Sequence, residues 1–520
     1  MTATTPARRT APARFTTASP IAPLLLTDGY KTGHIRQYPA GTTRVYSNFT
    51  NRGSRMDGVD RVVHFGLQAY LQAYLVEAFQ PFFDADEDEV ATLYQQAMDR
   101  YLGPGAVDVA HIRALHRRGF LPLRVCAVPE GTPVPLRVPS LTIENTEPEF
   151  FWLVNYIESA LSASVWHPST TATIAVQYRL LLDRAALETT GSTAGVDYQL
   201  HDFSFRGQTS IESAAASGAG HLLSFVGTDS LPALDWIDRY YPRDASDRDG
   251  GAPIAASVPA TEHSVMCAGG QDGERETYER LLEVYPTGIL SVVSDTWDLW
   301  HVLTDTLPAL RERILARDGK LVIRPDSGDP VEILCGTERA RGEGRTPAER
   351  GVIELLWDEF GGTTNELGFD LLDGRVGAIY GDSITLDRAE RIIERLKAKG
   401  FASTNVVFGV GSFSYQYVTR DTFSSAMKAT WAEVDGVGRD LMKDPVTDGG
   451  TKRSATGRLA VLRDERGELA LVERATPEQE AASLLRPVWE DGCALETQSF
   501  DEVRAVLASE LERIRRLQEG

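Results

Sequence analysis

Short apolar runs, each stopped by a polar or glycine-rich cluster, recur through the middle of the chain. Leu290-Ser291-Val292-Val293 stops at Ser294-Asp295, and Lys320-Leu321-Val322-Ile323 at Arg324-Pro325-Asp326-Ser327-Gly328-Asp329-Pro330. Gly377-Ala378-Ile379-Tyr380 stops at Gly381-Asp382-Ser383, and Val406-Val407-Phe408 at Gly409-Val410-Gly411-Ser412. Leu200 to Gly207, Ser224 to Asp229 and Ala256 to Ser264 obey the same rule, which makes seven candidate strands. Between most of them the apolar period lengthens to that of a helix, as in Asp298 to Arg317 and Asp387 to Lys399. Strands alternating with amphipathic helices predict βα units and a parallel sheet. Ligands in such sheets sit beyond the carboxyl ends of the strands, so a sheet curled into a barrel gathers all these clusters at one mouth.

The flanks read differently. Arg44 to Arg52, Leu123 to Asn145, Met427 to Val434 and Leu459 to Val472 alternate apolar and polar residues, the pattern of half-buried antiparallel strands. Helices are predicted from acid-headed Asp84 to Arg100, over Phe150 to Ser164 and Thr170 to Glu188, at Tyr415 to Asp421, and over Asp501 to Gln518. Asp238 to Ala252 and Gly336 to Arg350 read as surface loops. The fold class expected is α/β: an incomplete, seven-stranded α/β barrel over residues 166–425, with a second β-rich domain built from 21–165 and 426–520. Residues 1–20, rich in Thr, Ala, Pro and Arg, read as a disordered tail.

At 520 residues a sizeable core is assured. A formal charge of -21 supplies no basic field for nucleic acid or an anionic membrane, so any phosphate site must be local. The four cysteines show neither zinc nor disulfide spacing, no apolar run reaches the length of a membrane helix, and a reducing cytoplasm is the expected compartment. The acids before Ala91 suit the positive end of a helix better than a metal.

The strand ends carry the candidate chemistry. Pro259 breaks a run and delivers Glu262 and His263, and a histidine there can serve as base, ligand or phosphoryl acceptor. Gly381-Asp382-Ser383 and Gly409 to Ser412 expose backbone N–H groups as phosphate cradles, with Asp382 placed to accept from a ribose hydroxyl. Arg324 offers a fork for phosphate two residues before Asp326, which together with Asp295 suits Mg²⁺. Asp229 and Phe203 supply an amide acceptor and a flat apolar surface.

In this order the clusters resemble the nicotinamide phosphoribosyltransferase family. The likeness rests on Thr27-Asp28-Gly29-Tyr30-Lys31, Glu144-Asn145-Thr146-Glu147-Pro148, His201-Asp202-Phe203, Gly227-Thr228-Asp229, Ser257 to Ser264, Arg324 to Gly328, Lys443-Asp444-Pro445-Val446 and Lys452-Arg453. It implies a transfer of phosphoribosyl from phosphoribosyl pyrophosphate to nicotinamide, giving nicotinamide mononucleotide and pyrophosphate for NAD salvage. It also implies a homodimer with shared active sites, in which Asp28, Tyr30, Arg52, Arg420, Lys428, Lys443 and Lys452 serve the site of the other copy. The ring would lie between Phe203 and the other copy's Tyr30, near Arg206 and Asp229. Arg324, Asp326, Asp295, Gly381, Asp382, Gly411 and Ser412 would hold the phosphoribosyl group and Mg²⁺, with Asp295 and Asp326 as metal candidates. His263 would be phosphorylated by ATP. The chain departs from the family pattern at Ser383, where glycine is usual, at the glycine-poorer turn ending in Ser412, and at Ala426. The nearest rival substrate is nicotinate, whose carboxylate Asp229 would repel.

Overall fold

The computed structural model describes residues 19–242, 253–342, 345–381, 383–442 and 455–519. Its centre is a parallel sheet of six strands, in the order Gly227–Thr228, Leu200–Asp202, Val406–Val410, Val376–Tyr380, Asp318–Arg324 and Thr287–Val293. Every neighbouring pair in it is parallel. Alternation decides which way each residue faces. Leu321 and Ile323 are buried in the main core, with Tyr178, Leu182 and Ile392 from the helices, while Arg324 points toward the strand-end mouth.

The expected seventh strand is much reduced. Ala256 bridges Gly227 and Ala260 bridges Ser291, each as a single parallel bridge. The segment thus spans the two edges of the sheet and closes the ring as a thin stave. Pro259 has no N–H to donate to a ladder, which limits the pairing to these two points.

A separate antiparallel sheet of seven strands interleaves the two ends of the chain. Its order is Val437–Asp440, Ser425–Val434, Thr42–Asn51, Pro139–Asn145, Leu123–Ala127, Arg486–Glu490 and Cys493–Ala494. The alternating stretches read from the flanks are therefore strands, and Leu459–Arg463 with Leu469–Glu473 forms a hairpin of its own.

Several helices differ from the pattern in the sequence. The two expected around residue 166 are one helix, Glu158–Thr190, that runs through the buried Pro168. Helix-breaking by proline is overridden because the ring packs against Gly66, whose missing side chain leaves the space. Asp298 to Arg317 is instead a broken series, Leu299–His301, a π-turn Val302–Thr306, Leu307–Ala309 and Arg311–Ala316, interrupted near Pro308. Tyr415 to Asp421 is not helical; the short helix lies one step earlier, at Ser412–Tyr415. The loop Gly336 to Arg350 ends in a capped turn of helix, Pro347–Arg350, and Pro232–Tyr240 extends helix into the start of the other expected loop. Asp86 caps the helix Glu87–Leu102 as the acid-rich start predicts, and Phe500–Glu519 closes the chain. Among the described residues no helix is long and apolar enough to cross a membrane. The tail reading for residues 1–20 falls almost wholly outside the described residues.

Candidate active site

At the carboxyl ends of the parallel strands lies a cavity of about 1020 Å³. Phe203, Arg206, Asp229, Arg324, Asp326, Gly381, Gly411 and Ser412, all singled out by sequence, line it together, although they come from five different strand ends.

One side of the cavity is built on the strand Leu200–Asp202. His201 pairs in register with Gly227 on one neighbour and Gly409 on the other. Both glycines are required by space: a Cβ on Gly409 would sit 2.7 Å from the Phe203 ring, and one on Gly227 3.0 Å from His201 Nδ1. The Phe203 and His201 rings are 4.6 Å apart, tilted by 36°. Asp202, wholly buried, accepts from the Ser204 N–H at 2.8 Å and fixes the turn that follows.

Asp229 leaves the next strand end with one carboxylate oxygen already taken. Oδ1 accepts from His201 Nε2 at 2.9 Å and from the Ser257 hydroxyl at 2.6 Å, whereas Oδ2 has no partner among the described residues. Burial pushes the Asp229 carboxyl up, but the hydrogen bonds from His201 and Ser257, with the Arg324 charge, outweigh it and hold it below its ordinary value.

The opposite side of the cavity centres on Arg324. It donates to the Thr261 carbonyl. Burial draws its guanidinium below the usual value, against the pull of Asp326, Asp229 and Asp295. Asp295 is set behind this loop: its Oδ2 accepts from the Asp326 N–H at 2.9 Å and the Ser327 hydroxyl at 2.6 Å, and its buried Oδ1 has no partner. His263 begins the helix His263–Cys267 at the rim. Its Nδ1 lies 3.1 Å from the Thr296 hydroxyl and its Nε2 3.9 Å from Asp326 Oδ2. Ser383 adopts a left-handed φ of 52°.

The remaining predicted residues stand apart from this cavity. Tyr30 is 66% exposed on the N-terminal turn Gly29–Gly33, and Asp28, just before it, accepts from the Ser159 hydroxyl. Lys428 on the antiparallel sheet shares its surroundings with Arg52, Arg420, Lys31 and Glu158; burial, then the neighbouring cations, lower its pKa against the opposing pull of Glu158. Asp382, Lys443 and Lys452 lie outside the described residues. Sequence reasoning missed the contacts of His201 and Ser257 with Asp229 and of Thr296 with His263, and it missed Gln416, whose buried Oε1 is unpartnered in the cavity wall. Each of the three pairings joins residues from different strand ends, so spacing along the chain carries no trace of it.

Fold and cavity define an α/β barrel protein whose strand carboxyl ends gather a buried arginine, carboxylates and glycine turns beside an aromatic wall. The model of the nicotinate phosphoribosyltransferase (NAPRTase) family matches residues 198–492, and that of the nicotinamide phosphoribosyltransferase N-terminal domain matches residues 22–100. A nicotinamide phosphoribosyltransferase of Acinetobacter baylyi is 51% identical over 95% of this chain and 98% of its own. Those of Mycoplasma pneumoniae and Xanthomonas campestris are 37% and 36% identical, over 84% and 93% of this chain and 94% and 97% of theirs. Among solved structures, nicotinate-nucleotide pyrophosphorylase from Pyrococcus furiosus aligns with a TM-score of 0.54 at 17% identity, covering 96% of this chain and 99% of its own. Human nicotinic acid phosphoribosyltransferase aligns at 0.50 and 18%, covering 94% of each chain, and both likenesses speak for the fold. The chain belongs to the nicotinate phosphoribosyltransferase family of enzymes, and the relatives that match nearly its full length carry the name nicotinamide phosphoribosyltransferase.

Proposed function

We propose that this protein joins nicotinamide to phosphoribosyl pyrophosphate. The ring nitrogen forms the new bond to the anomeric carbon as the bond to pyrophosphate breaks, giving nicotinamide mononucleotide and pyrophosphate. The observation that carries this reading is the open Oδ2 of Asp229 beside Phe203, in the same cavity as Arg324 and the Gly411 turn. An ionised carboxylate only accepts hydrogen bonds, so it takes the N–H of a carboxamide and repels a carboxylate. Positive charge develops on the sugar in the transition state, and catalysis rests on positioning and electrostatics rather than on a protein nucleophile. Arg324 and the backbone at Gly381, Gly411 and Ser412 hold the phosphates.

Mg²⁺ fits as a cation brought by the diphosphate. Among the described residues no cluster of three or more protein ligands is spaced to cage a metal, while the unpartnered Asp295 Oδ1 and the neighbouring Asp326 carboxylate suit one that keeps phosphate and water ligands. Bound there, it would neutralise charge on the leaving group. His263 is the acceptor of a phosphoryl group from ATP; its half-exposed ring at the rim, braced by Thr296 and beside Asp326, supports this role. The placement of Asp28, Tyr30, Arg52, Arg420 and Lys428 outside the cavity supports a homodimer in which they complete the site of the second copy. Initial rates with nicotinamide and with nicotinate, each with and without ATP, test the proposal. Pyrophosphate release with nicotinamide, stimulated by ATP, is expected; release with nicotinate alone would overturn it.

A further inference from the structure

From the cross-strand geometry we infer that His201, with Ser257, is a positioning residue that fixes which oxygen of Asp229 the substrate meets, and so sets affinity for the carboxamide. The inference rests on the reaction proposed above and adds to it a residue that touches neither reacting atom.

A carboxylate on two freely rotating bonds presents either oxygen, because the terminal torsion of aspartate is broad. Here Oδ1 receives two donors, at 2.9 Å from His201 and 2.6 Å from Ser257. Since ionised Asp229 cannot donate, Nε2 of His201 carries the proton, which fixes the tautomer. The torsion is thereby locked and Oδ2 alone faces a ligand. The two donors reach Asp229 from different directions: His201 from the adjoining strand, Ser257 from the thin stave that closes the barrel. The imidazole lies over Gly227, where a Cβ would come within 3.0 Å of its Nδ1, and the Phe203 ring lies over Gly409, so both register partners of His201 must lack side chains for the two rings to sit as they do. The same ring lies 4.6 Å from Phe203, so one side chain orients both the apolar wall and the polar acceptor of the ring slot. Loss of the clamp costs binding of the amide without touching transfer at the sugar, a signature that separates it from general damage to the site.

The test is initial-rate kinetics of the full-length protein with nicotinamide varied at saturating phosphoribosyl pyrophosphate and the donor varied at saturating nicotinamide, for the parent, His201→Ala, His201→Gln, Ser257→Ala and the His201→Ala/Ser257→Ala double variant. His201→Ala should raise KM for nicotinamide about tenfold, the scale of one charge-assisted hydrogen bond, with kcat and the KM for the donor within about twofold. His201→Gln, which retains an N–H donor, should recover part of that loss. The double variant should lose less than the product of the single effects if His201 and Ser257 brace one oxygen. An unchanged KM for nicotinamide in both His201 variants overturns the inference. So does an equal loss toward both substrates, accompanied by a lower Tm, that glutamine fails to rescue. A parent that forms no mononucleotide from nicotinamide overturns the proposed reaction and this inference with it, whereas an active parent with indifferent variants removes the inference alone.

Discussion

Replacing Asp229 with serine removes the carboxylate that stands beside Phe203 in the cavity while keeping a small polar side chain there. A nicotinate carboxylate held about 4 Å from Asp229 is repelled by about 1 kcal/mol in bulk water and by about 4 kcal/mol at the effective dielectric of a protein surface. The Asp229 side chain is 44% exposed, so solvent screens it and the true figure falls between these limits. Converted at tenfold per 1.4 kcal/mol, Asp229→Ser should lower the amide-to-acid ratio of kcat/KM by between about 5-fold and about 10³-fold. Loss of the amide hydrogen bond adds to the change from the other side, because nicotinamide itself binds less well. The assay is competition between nicotinamide and nicotinate at fixed phosphoribosyl pyrophosphate, with both mononucleotides quantified. A ratio equal to that of the parent would refute the electrostatic reasoning, whatever happens to the absolute rate.

Three further outcomes are expected. His263→Ala should abolish stimulation by ATP while leaving basal synthesis, measured as mononucleotide formed with and without ATP; equal stimulation in variant and parent excludes His263 as phosphoryl acceptor. The left-handed φ of Ser383 carries strain of about 1 kcal/mol that glycine avoids, partly offset by glycine's freer unfolded chain, so Ser383→Gly should leave Tm level or higher and Ser383→Val should lower it. Burial holds the His64 imidazole down at about 4, with neither ring nitrogen partnered. The unfolded chain therefore binds a proton that the folded protein refuses, so this contribution is complete above about pH 6.5 and is lost as pH falls toward 4, by about 2 kcal/mol at pH 5. Urea midpoints between pH 7.5 and 5 measure it, and a His64→Gln variant with an equally steep acid loss would rule His64 out as its source.

Much of the barrel could be read from the chain because each strand is a short apolar run whose stop falls at its carboxyl end, as at Arg324 and Gly409. The convergence of Phe203, Asp229, Arg324 and Gly381 followed from that grammar alone. What escaped was tertiary. Phe150 to Ser164 and Thr170 to Glu188 read as two helices, yet one helix runs through Pro168 between them, with the proline ring packed against Gly66. Ala256 to Ser264 reads as a strand of its own, yet proline limits it to two bridges, at Ala256 and Ala260. His201 looks like an ordinary strand residue until its neighbours prove to be glycines. A lock between strands leaves no periodicity behind, since its two halves are independent positions in the sequence.

The thin stave between Gly227 and Ser291 has a mechanical consequence. A ladder of many hydrogen bonds moves as a unit, but a stretch held by isolated bridges can shift locally at small cost. This stretch carries Ser257 at one end and leads into Thr261 and His263 at the other. A charge added at His263 would therefore act on a part of the barrel wall held by isolated bridges, and its displacement would reach Asp229 through Ser257 and Arg324 through Thr261 without disturbing the six-stranded frame.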